Sequence, residues 1–331
     1  MDGLSGADHF VAKENRKIRA VVADRIIETT FAGSRLKIGF IGSVAVHPDF
    51  RGKGYMINLM NLAAQEAKKA GVQLLLLSGK RQRYGYFGFE NGGVVYRFEL
   101  SPENVSHALA DVDAGRISYH ELTENDPEEI RFACELNRQK ICHTERNADD
   151  FLRIVHSWNK SCFVICRDGV PVGYCCDTFQ ELTLKDESDY PAVIKAMFPD
   201  TGTVTVCAGM HERKKIAFLS SICEDYCITH CEKVCVLDWK AVLDTLLTFK
   251  SGITTLTDGE KSFLIDGVCV AVSVINGRVA VKDGIPDRNT VALGHNEAER
   301  LFFELDASLP GKDRFGNWFP LPFFLDNADA F

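Results

Sequence analysis

At 331 residues the chain is long enough for two or three domains rather than one. A net charge of −8 argues against nucleic acid as a partner, and no apolar run approaches the length of a membrane span. The start, MDGLSGADHF, has neither the basic nor the apolar region of a secretion leader. The protein is therefore expected to be cytoplasmic, without a membrane partner. Its 12 cysteines all lie beyond residue 133 and are expected to be reduced thiols.

In chain order, 9–13, 18–27 and 36–46 are rich in Val, Ile and Phe and predict strands separated by short polar turns. The stretch 42–92 carries the strongest pattern. A strand ending at Val46 leads through Pro48-Asp49 into a basic glycine turn at 50–54. An amphipathic helix over 55–70 follows, with Met56, Leu59, Met60, Ala63, Ala67 and Ala70 on one face. Gly71 stops it, and 72–77 is a second apolar strand. A glycine turn that opens a helix points backbone N–H groups outward with the positive helix end behind them, so it binds anions. Arg51 and Lys53 add two charges, which favours a phosphate or pyrophosphate. Two common phosphate-binding patterns fail on spacing. There is no G-x-x-x-x-G-K-S/T, and Ile57 stands where the dinucleotide fingerprint needs its third glycine.

The run V-A-V-H-P-D-F-R-G-K-G resembles motif A of the GNAT superfamily of N-acetyltransferases, in which Gln/Arg-x-x-Gly-x-Gly/Ala follows a strand. Arg51 and Gly54 match, and Met56 departs at the last position. The later Y-G-Y-F-G-F-E, with Tyr84 ahead of Gly88-Phe89, is similar to the family's tyrosine loop after its fifth strand. The resemblance implies acetyl-CoA as co-substrate. Its pantetheine would lie along the backbone of Val44, Ala45 and Val46, and its pyrophosphate on the amides of Gly52, Lys53, Gly54, Tyr55 and Met56 beside Arg51. Residues 1–114 hold 15 basic and 12 acidic residues, so the rest of the chain carries −11 of the total −8. A mildly basic first domain suits a polyanionic ligand. GNAT domains open with a strand and two helices, for which few residues are present here, so either the acceptor side is unusually open or another segment or subunit covers it.

After a strand at 94–100 and a helix at 104–110, a fresh α/β pattern starts at 117–120. It predicts helices at 127–140 and 148–158, a hairpin of 162–167 with 172–177 around Asp168-Gly169, and a helix at 190–198. Strand 203–208, helix 212–232 and strand 234–237 then repeat the strand–helix–strand order of the first domain. Gly209-Met210-His211-Glu212 lacks R-x-x-G, so this segment reads as a second GNAT-like domain without a cofactor site. Cys223, Cys227, Cys231 and Cys235, with His230 nearby, recur at helical spacing up to the point where that helix gives way to a strand. Core packing is expected of them, and no metal site.

From Trp239 the pattern becomes a helix at 240–247, strands at 262–266, 268–275 and 278–281 with an Asn276-Gly277 hairpin turn, a segment at 289–293 and a helix at 296–303. This order resembles the sterol carrier protein-like domain that closes acetyltransferases of the enhanced intracellular survival (Eis) type. The tail W-F-P-L-P-F-F-L-D-N and the last residue, Phe331, are similar to that family's ending. The implied fold class is α/β (α+β). It comprises an N-terminally shortened GNAT domain (1–114), a second, degenerate GNAT-like domain (115–238) and a sterol carrier protein-like domain with the tail (239–331).

Acetyl transfer needs a free amine, an oxyanion stabiliser and a proton for the departing thiolate. The N–H of Val46 is the candidate stabiliser. The resemblance implies Tyr84 as the acid, with Tyr86 its nearest competitor and Lys80, Arg81 and Arg83 as positive charge that would help it give up a proton. It also implies the carboxylate of Phe331 as a base. His47 and His120 are expected to be structural. The expected activity is transfer of an acetyl group from acetyl-CoA to a primary amine of a cationic small molecule or a lysine, by a homo-oligomer. The alternative is a non-catalytic protein that senses acetyl-CoA or holds an apolar ligand.

Overall fold

The computed structural model describes residues 6–199, 202–305 and 312–329. The chain packs as two compact units, one built from the part up to Gly93 with His230–Phe323, the other from Val94–Thr229 with the segment that starts at Phe324. The class is mixed α/β, as expected.

The first unit begins with the antiparallel strands β1 (Ala7–Glu14), β2 (Lys17–Phe31) and β3 (Ser34–Val46). Helix α1 (Tyr55–Lys69) crosses to β4 (Leu74–Leu77), which runs parallel to β3. Leu59, Met60, Ala63 and Ala67 recur at three- and four-residue steps and are the buried residues of α1. They pack on Ala20, Val22, Ile41, Leu75 and Leu77 of the sheet. All four leucines of β4 are buried, as a central strand covered on both faces requires. A short helix, α2 (Arg81–Tyr84), a further 3-10 turn and β5 (Glu90–Gly92) follow, where an aromatic loop was expected.

The second unit holds β6 (Val95–Leu100), α3 (Pro102–Ala108), β7 (Ile117–Glu121), α4 (Pro127–Gln139), β8 (Cys142–Thr144) and α5 (Ala148–Val155). It continues with β9 (Cys162–Arg167), β10 (Val170–Cys176), β11 (Glu181–Leu184), α6 (Tyr190–Met197), β12 (Val204–Gly209), α7 (Arg213–Ile222) and β13 (Asp225–Thr229). One sheet has the order β11-β10-β9-β7, another β12-β6-β13. The single helix expected over 212–232 is wrong. α7 ends at Ile222, and Asp225–Thr229 pairs antiparallel with β6 instead. Tyr226, Ile228 and Thr229 favour a strand once an open edge is on offer, and no glycine or proline marks the break. The helical stacking of cysteines fails with it: Cys223 caps α7, Cys227 is exposed on β13 and Cys235 is buried.

The chain then returns to the first unit. β14 (Glu232–Val236) inserts between β4 and β5, antiparallel to both, so the sheet reads β1-β2-β3-β4-β14-β5. That strand was expected to complete the second domain's repeat. α8 (Trp239–Ile253), β15 (Gly259–Ile265), β16 (Val268–Ile275), β17 (Arg278–Asp283), β18 (Val291–Leu293) and α9 (His295–Phe303) complete the unit, with sheet order β17-β16-β15-β18. α8 lies against β2 and β3, where Phe249 meets Phe31 edge-on at 5.6 Å. The buried Lys250 Nζ donates to Trp318 O (3.2 Å) and Pro320 O (2.7 Å), fastening the aromatic tail segment to α8.

Candidate active site

Strands β3 and β4 pair only from Ile38↔Leu74 to Ile41↔Leu77. Beyond Ile41 that edge of β3 has no strand partner among the described residues, and the chain leaves β4 through Ser78-Gly79. A wedge therefore opens at Gly42. Opposite it the β2 register slips, with Val21 facing Ala45 but Ala23 facing Gly42, so β3 carries the extra residue of a β-bulge. Ser43 takes a left-handed φ of 50° to accommodate it. Val44, Ala45 and Val46 thus present an open backbone edge along which an extended chain of amides can lie.

The turn after β3 is shaped by His47, whose Nδ1 accepts from Asp49 N–H (3.4 Å) and caps the 3-10 turn Pro48–Phe50. Gly52 and Gly54 both have φ of 77°, with open space where a Cβ would stand, so glycine is needed there for backbone conformation rather than for room. Asn58 N–H bonds back to Gly54 O; ahead of it, the amides of Gly52, Lys53, Gly54, Tyr55, Met56 and Ile57 meet no backbone acceptor among the described residues. These six donors and the helix dipole together can hold an anion at the head of α1.

The charges beside the turn differ from expectation. Lys53 lies 3.3 Å from Glu14 and over the Phe50 ring (4.4 Å), while Tyr55 donates to Glu14 at 2.7 Å. Glu14 is held below the usual carboxylate range by the Tyr55 hydroxyl and by Lys53. Arg19 stacks on the other ring contact of Phe50 at 4.1 Å, so it joins the exposed Arg51 as a cation of this turn. Neither Glu14 nor Arg19 was singled out from sequence, because each sits in a polar strand end that looks like an ordinary solvated position.

Tyr84 ends α2, and its ring is buried in the core beneath α1. It packs on Gly79, just past the end of β4: a Cβ at Gly79 would fall 2.6 Å from Tyr84 Cε2. Tyr86 is 77% exposed and lacks this enclosure. Arg81 is committed elsewhere. It forms a two-pronged ion pair with the buried Glu90, which also accepts from Arg300 (2.8 Å) and Asn296 (3.0 Å) of α9. The charge of Arg81 is therefore balanced by Glu90.

Asp24 was not anticipated. It lies on β2 opposite Ile41, the last residue before the wedge, and is 4% exposed, with no hydrogen-bond partner for Oδ1 among the described residues. Burial, reinforced by Asp8 across the strand pair, raises its carboxyl to about 7. A carboxyl that titrates near neutrality beside the opening is suited to take a proton from an amine.

Phe331 lies outside the described residues. The tail leading to it is held within the second unit by buried charge. Arg146 forks onto Asp329 (2.9 and 2.8 Å) and Glu181 (2.8 and 3.0 Å), and Lys140 bridges Glu181 (3.1 Å) and Asp326 (2.5 Å). Burial opposes ionisation of Glu181, but Arg146 and Lys140 outweigh it and hold the carboxyl well below its ordinary range. Asp326 is pushed up to about 6 by burial and by Glu181. His120, on β7, is 3.9 Å from Asp126.

A family model described as an acetyltransferase (GNAT) domain matches residues 1–92. No curated protein matches the chain. Among solved structures, a probable N-acyltransferase of unknown function from Enterococcus faecalis superposes with a TM-score of 0.69 at 14% identity, over 98% of this chain and 90% of its own. A GCN5-related N-acetyltransferase from Anabaena variabilis gives 0.65 at 16% identity, over 94% and 84%. Eis1 from Mycobacterium abscessus gives 0.62 at 14%, over 95% and 88%. The wedge, the bulge and the glycine turn thus belong to an acetyltransferase domain of the GNAT kind, and the chain is an acyltransferase that uses acetyl-CoA.

Proposed function

We propose that the chain is an N-acetyltransferase that moves the acetyl group of acetyl-CoA to a primary amine of a cationic small molecule or a lysine. The observation that carries this reading is the open edge of β3 leading directly into unpaired amides at the head of α1. Pantetheine amides would pair with Val44, Ala45 and Val46, and the pyrophosphate would sit on the amides from Gly52 through Lys53, Gly54 and Tyr55 to Met56, with Arg51 beside it. The Val46 N–H would polarise the thioester carbonyl, and Tyr84 would protonate the departing thiolate. The carboxylate of Phe331 would receive the amine proton or attract the cationic acceptor. Asp326 and Asp329, a few residues ahead of Phe331, are themselves anchored by Lys140 and Arg146. Asp24 is a second carboxyl suited to the proton step.

The three-part layout with boundaries at 114 and 238, its Eis type and its sterol carrier protein-like end are part of the same proposal. The Eis type and the sterol carrier protein-like end draw support from the overall likeness to Eis1 and from the four-stranded sheet flanked by α8 and α9. A cytoplasmic location and a homo-oligomeric assembly belong to the same proposal; no helix among the described residues is long and apolar enough to cross a membrane. The test is thiol release from acetyl-CoA against a panel of polyamines, aminoglycosides and lysine peptides. Saturable release with one amine class is expected. Binding of acetyl-CoA with no release on any amine would leave the non-catalytic sensor as the better reading.

A further inference from the structure

Behind the tyrosine loop, three side chains from distant parts of the sequence converge. Cys235 comes from β14, and His295 and Glu299 stand one turn apart on the same face of α9; one ligand atom from each lies within 4.8 Å of the others. Cys235 Sγ is 3.5 Å from His295 Nε2, and His295 Nε2 is 3.3 Å from Glu299 Oε1. Tetrahedral zinc with bonds of about 2.3 Å to sulfur and about 2.0 Å to nitrogen and oxygen would separate sulfur from nitrogen by roughly 3.5 Å and nitrogen from oxygen by roughly 3.3 Å. Both separations fit a shared tetrahedral ion.

The surroundings point the same way. Asp266 Oδ2 lies 2.6 Å from His295 Nδ1, so Nδ1–H donates to the carboxylate, and a neutral ring would turn its Nε2 lone pair toward Cys235 and Glu299. This is the outer-shell arrangement that orients a histidine for a metal. Glu299 is fully buried; its Oε1 accepts from Val236 N–H (2.6 Å), and its Oε2 has no hydrogen-bond partner among the described residues. A buried carboxylate oxygen left without a donor is costly unless a cation completes it. Gly88 closes the cluster from the loop side: a Cβ there would stand 3.1 Å from His295 Nε2 and 3.3 Å from Cys235 Sγ. The His295 side chain is 23% exposed, which leaves the ion a path from solvent.

We infer that Cys235, His295 and Glu299 form a tetrahedral transition-metal site, fitted to Zn²⁺, that fastens α9 and β14 behind the loop carrying Tyr84. A thiolate, an imidazole and a carboxylate select zinc over magnesium or calcium, with water as the fourth ligand. The site is structural and positioning. The next residue of α9, Asn296, holds Gly85 O at 3.0 Å, so an ion that fixes α9 also fixes the turn that follows Tyr84.

The test uses the full chain, stripped with a chelator and titrated with Co²⁺ as the spectroscopic probe, alongside zinc content by elemental analysis. One equivalent of Co²⁺ is expected, with a thiolate-to-cobalt charge-transfer band and the intense visible bands of a tetrahedral site. Cys235→Ser should abolish the charge-transfer band, whereas Cys227→Ser, at an exposed cysteine outside the cluster, should keep it. Asp266→Asn suits the left-handed turn at that position (φ 50°) and should leave the fold intact while weakening zinc affinity roughly 10- to 100-fold. A wild-type chain that shows no tetrahedral cobalt spectrum overturns the inference. So does a band that survives Cys235→Ser, or an Asp266→Asn variant with unchanged affinity.

Discussion

The carboxyl of Asp24 lies over the bare backbone of Gly39: a Cβ on Gly39 would stand 2.9 Å from Asp24 Oδ1 and 2.7 Å from a Leu75 methyl. The strand pairing puts Asp24 opposite Ile41 on the face covered by α1, so only a residue without a side chain leaves room for the carboxyl there. The same enclosure explains why burial dominates its titration.

Stability should therefore depend on pH through Asp24. Its folded-state value, about 7, lies above that of an unfolded aspartate, so the native state binds the proton more tightly. The associated stability is fully present below the unfolded value and is lost as pH rises to the folded one. Asp24→Asn, neutral throughout, should remove that loss, raising stability above neutrality by about 1–3 kcal/mol while changing little near pH ~4. Urea unfolding at the two pH values measures it, and an equal gain at both would tie the effect to something other than ionisation. If Asp24 also takes the amine proton, the stabilised variant should turn over more slowly.

Gly54→Ala should separate the anion site from the fold. A left-handed residue with a Cβ costs roughly 1–2 kcal/mol, and α1 has ample buried surface to survive it. The distorted turn should misdirect the amides of Gly54, Tyr55 and Met56 and weaken acetyl-CoA binding at least several-fold. Calorimetry on the folded variant reads both effects; undiminished affinity would move the pyrophosphate elsewhere.

Tyr84→Phe keeps the ring that packs on Gly79 and removes only the hydroxyl. Turnover is expected to fall by roughly 10- to 10⁴-fold with acetyl-CoA affinity nearly kept, the range for loss of a general acid. Unchanged turnover would transfer the role away from Tyr84, and Tyr86→Phe serves as the comparison because that ring is exposed.

What was legible in the chain tracks how local its cause is. The path from β3 through α1 to β4 could be read because each border carries its own signal: left-handed Gly52, Gly54 and Gly71, and an apolar face at helical steps. β13 was hidden because Ser220 to Asp225 contains no breaker, and its conformation is decided by an open edge of β6 more than a hundred residues earlier. The apolar run in β14 reads as a strand anywhere; only pairing with β4 and β5 assigns it to the first sheet. Asp24 left a faint sign, an acid sharing the parity of Ala20, Val22 and Ile26 along β2. The four-residue step from His295 to Glu299 was visible too, but the sulfur it meets is sixty residues upstream.

The tail offers the last prediction. Arg146 is fully buried and is the common donor to Glu181 and Asp329, so Arg146→Met would take the cation from Asp329 and leave Glu181 with Lys140 alone of its two cations. Removing one partner of such a buried network costs about 3–5 kcal/mol, and urea unfolding should show a loss of that size. A milder probe isolates the chemistry proposed for Phe331. Adding a few residues after it leaves Arg146, Lys140 and their partners untouched, so the melting temperature should hold. Turnover should nevertheless drop at least tenfold, because the terminal carboxylate is replaced by a neutral peptide bond. An extended chain that acetylates amines at the wild-type rate would remove Phe331 from the mechanism and leave Asp24 as the proton acceptor to test.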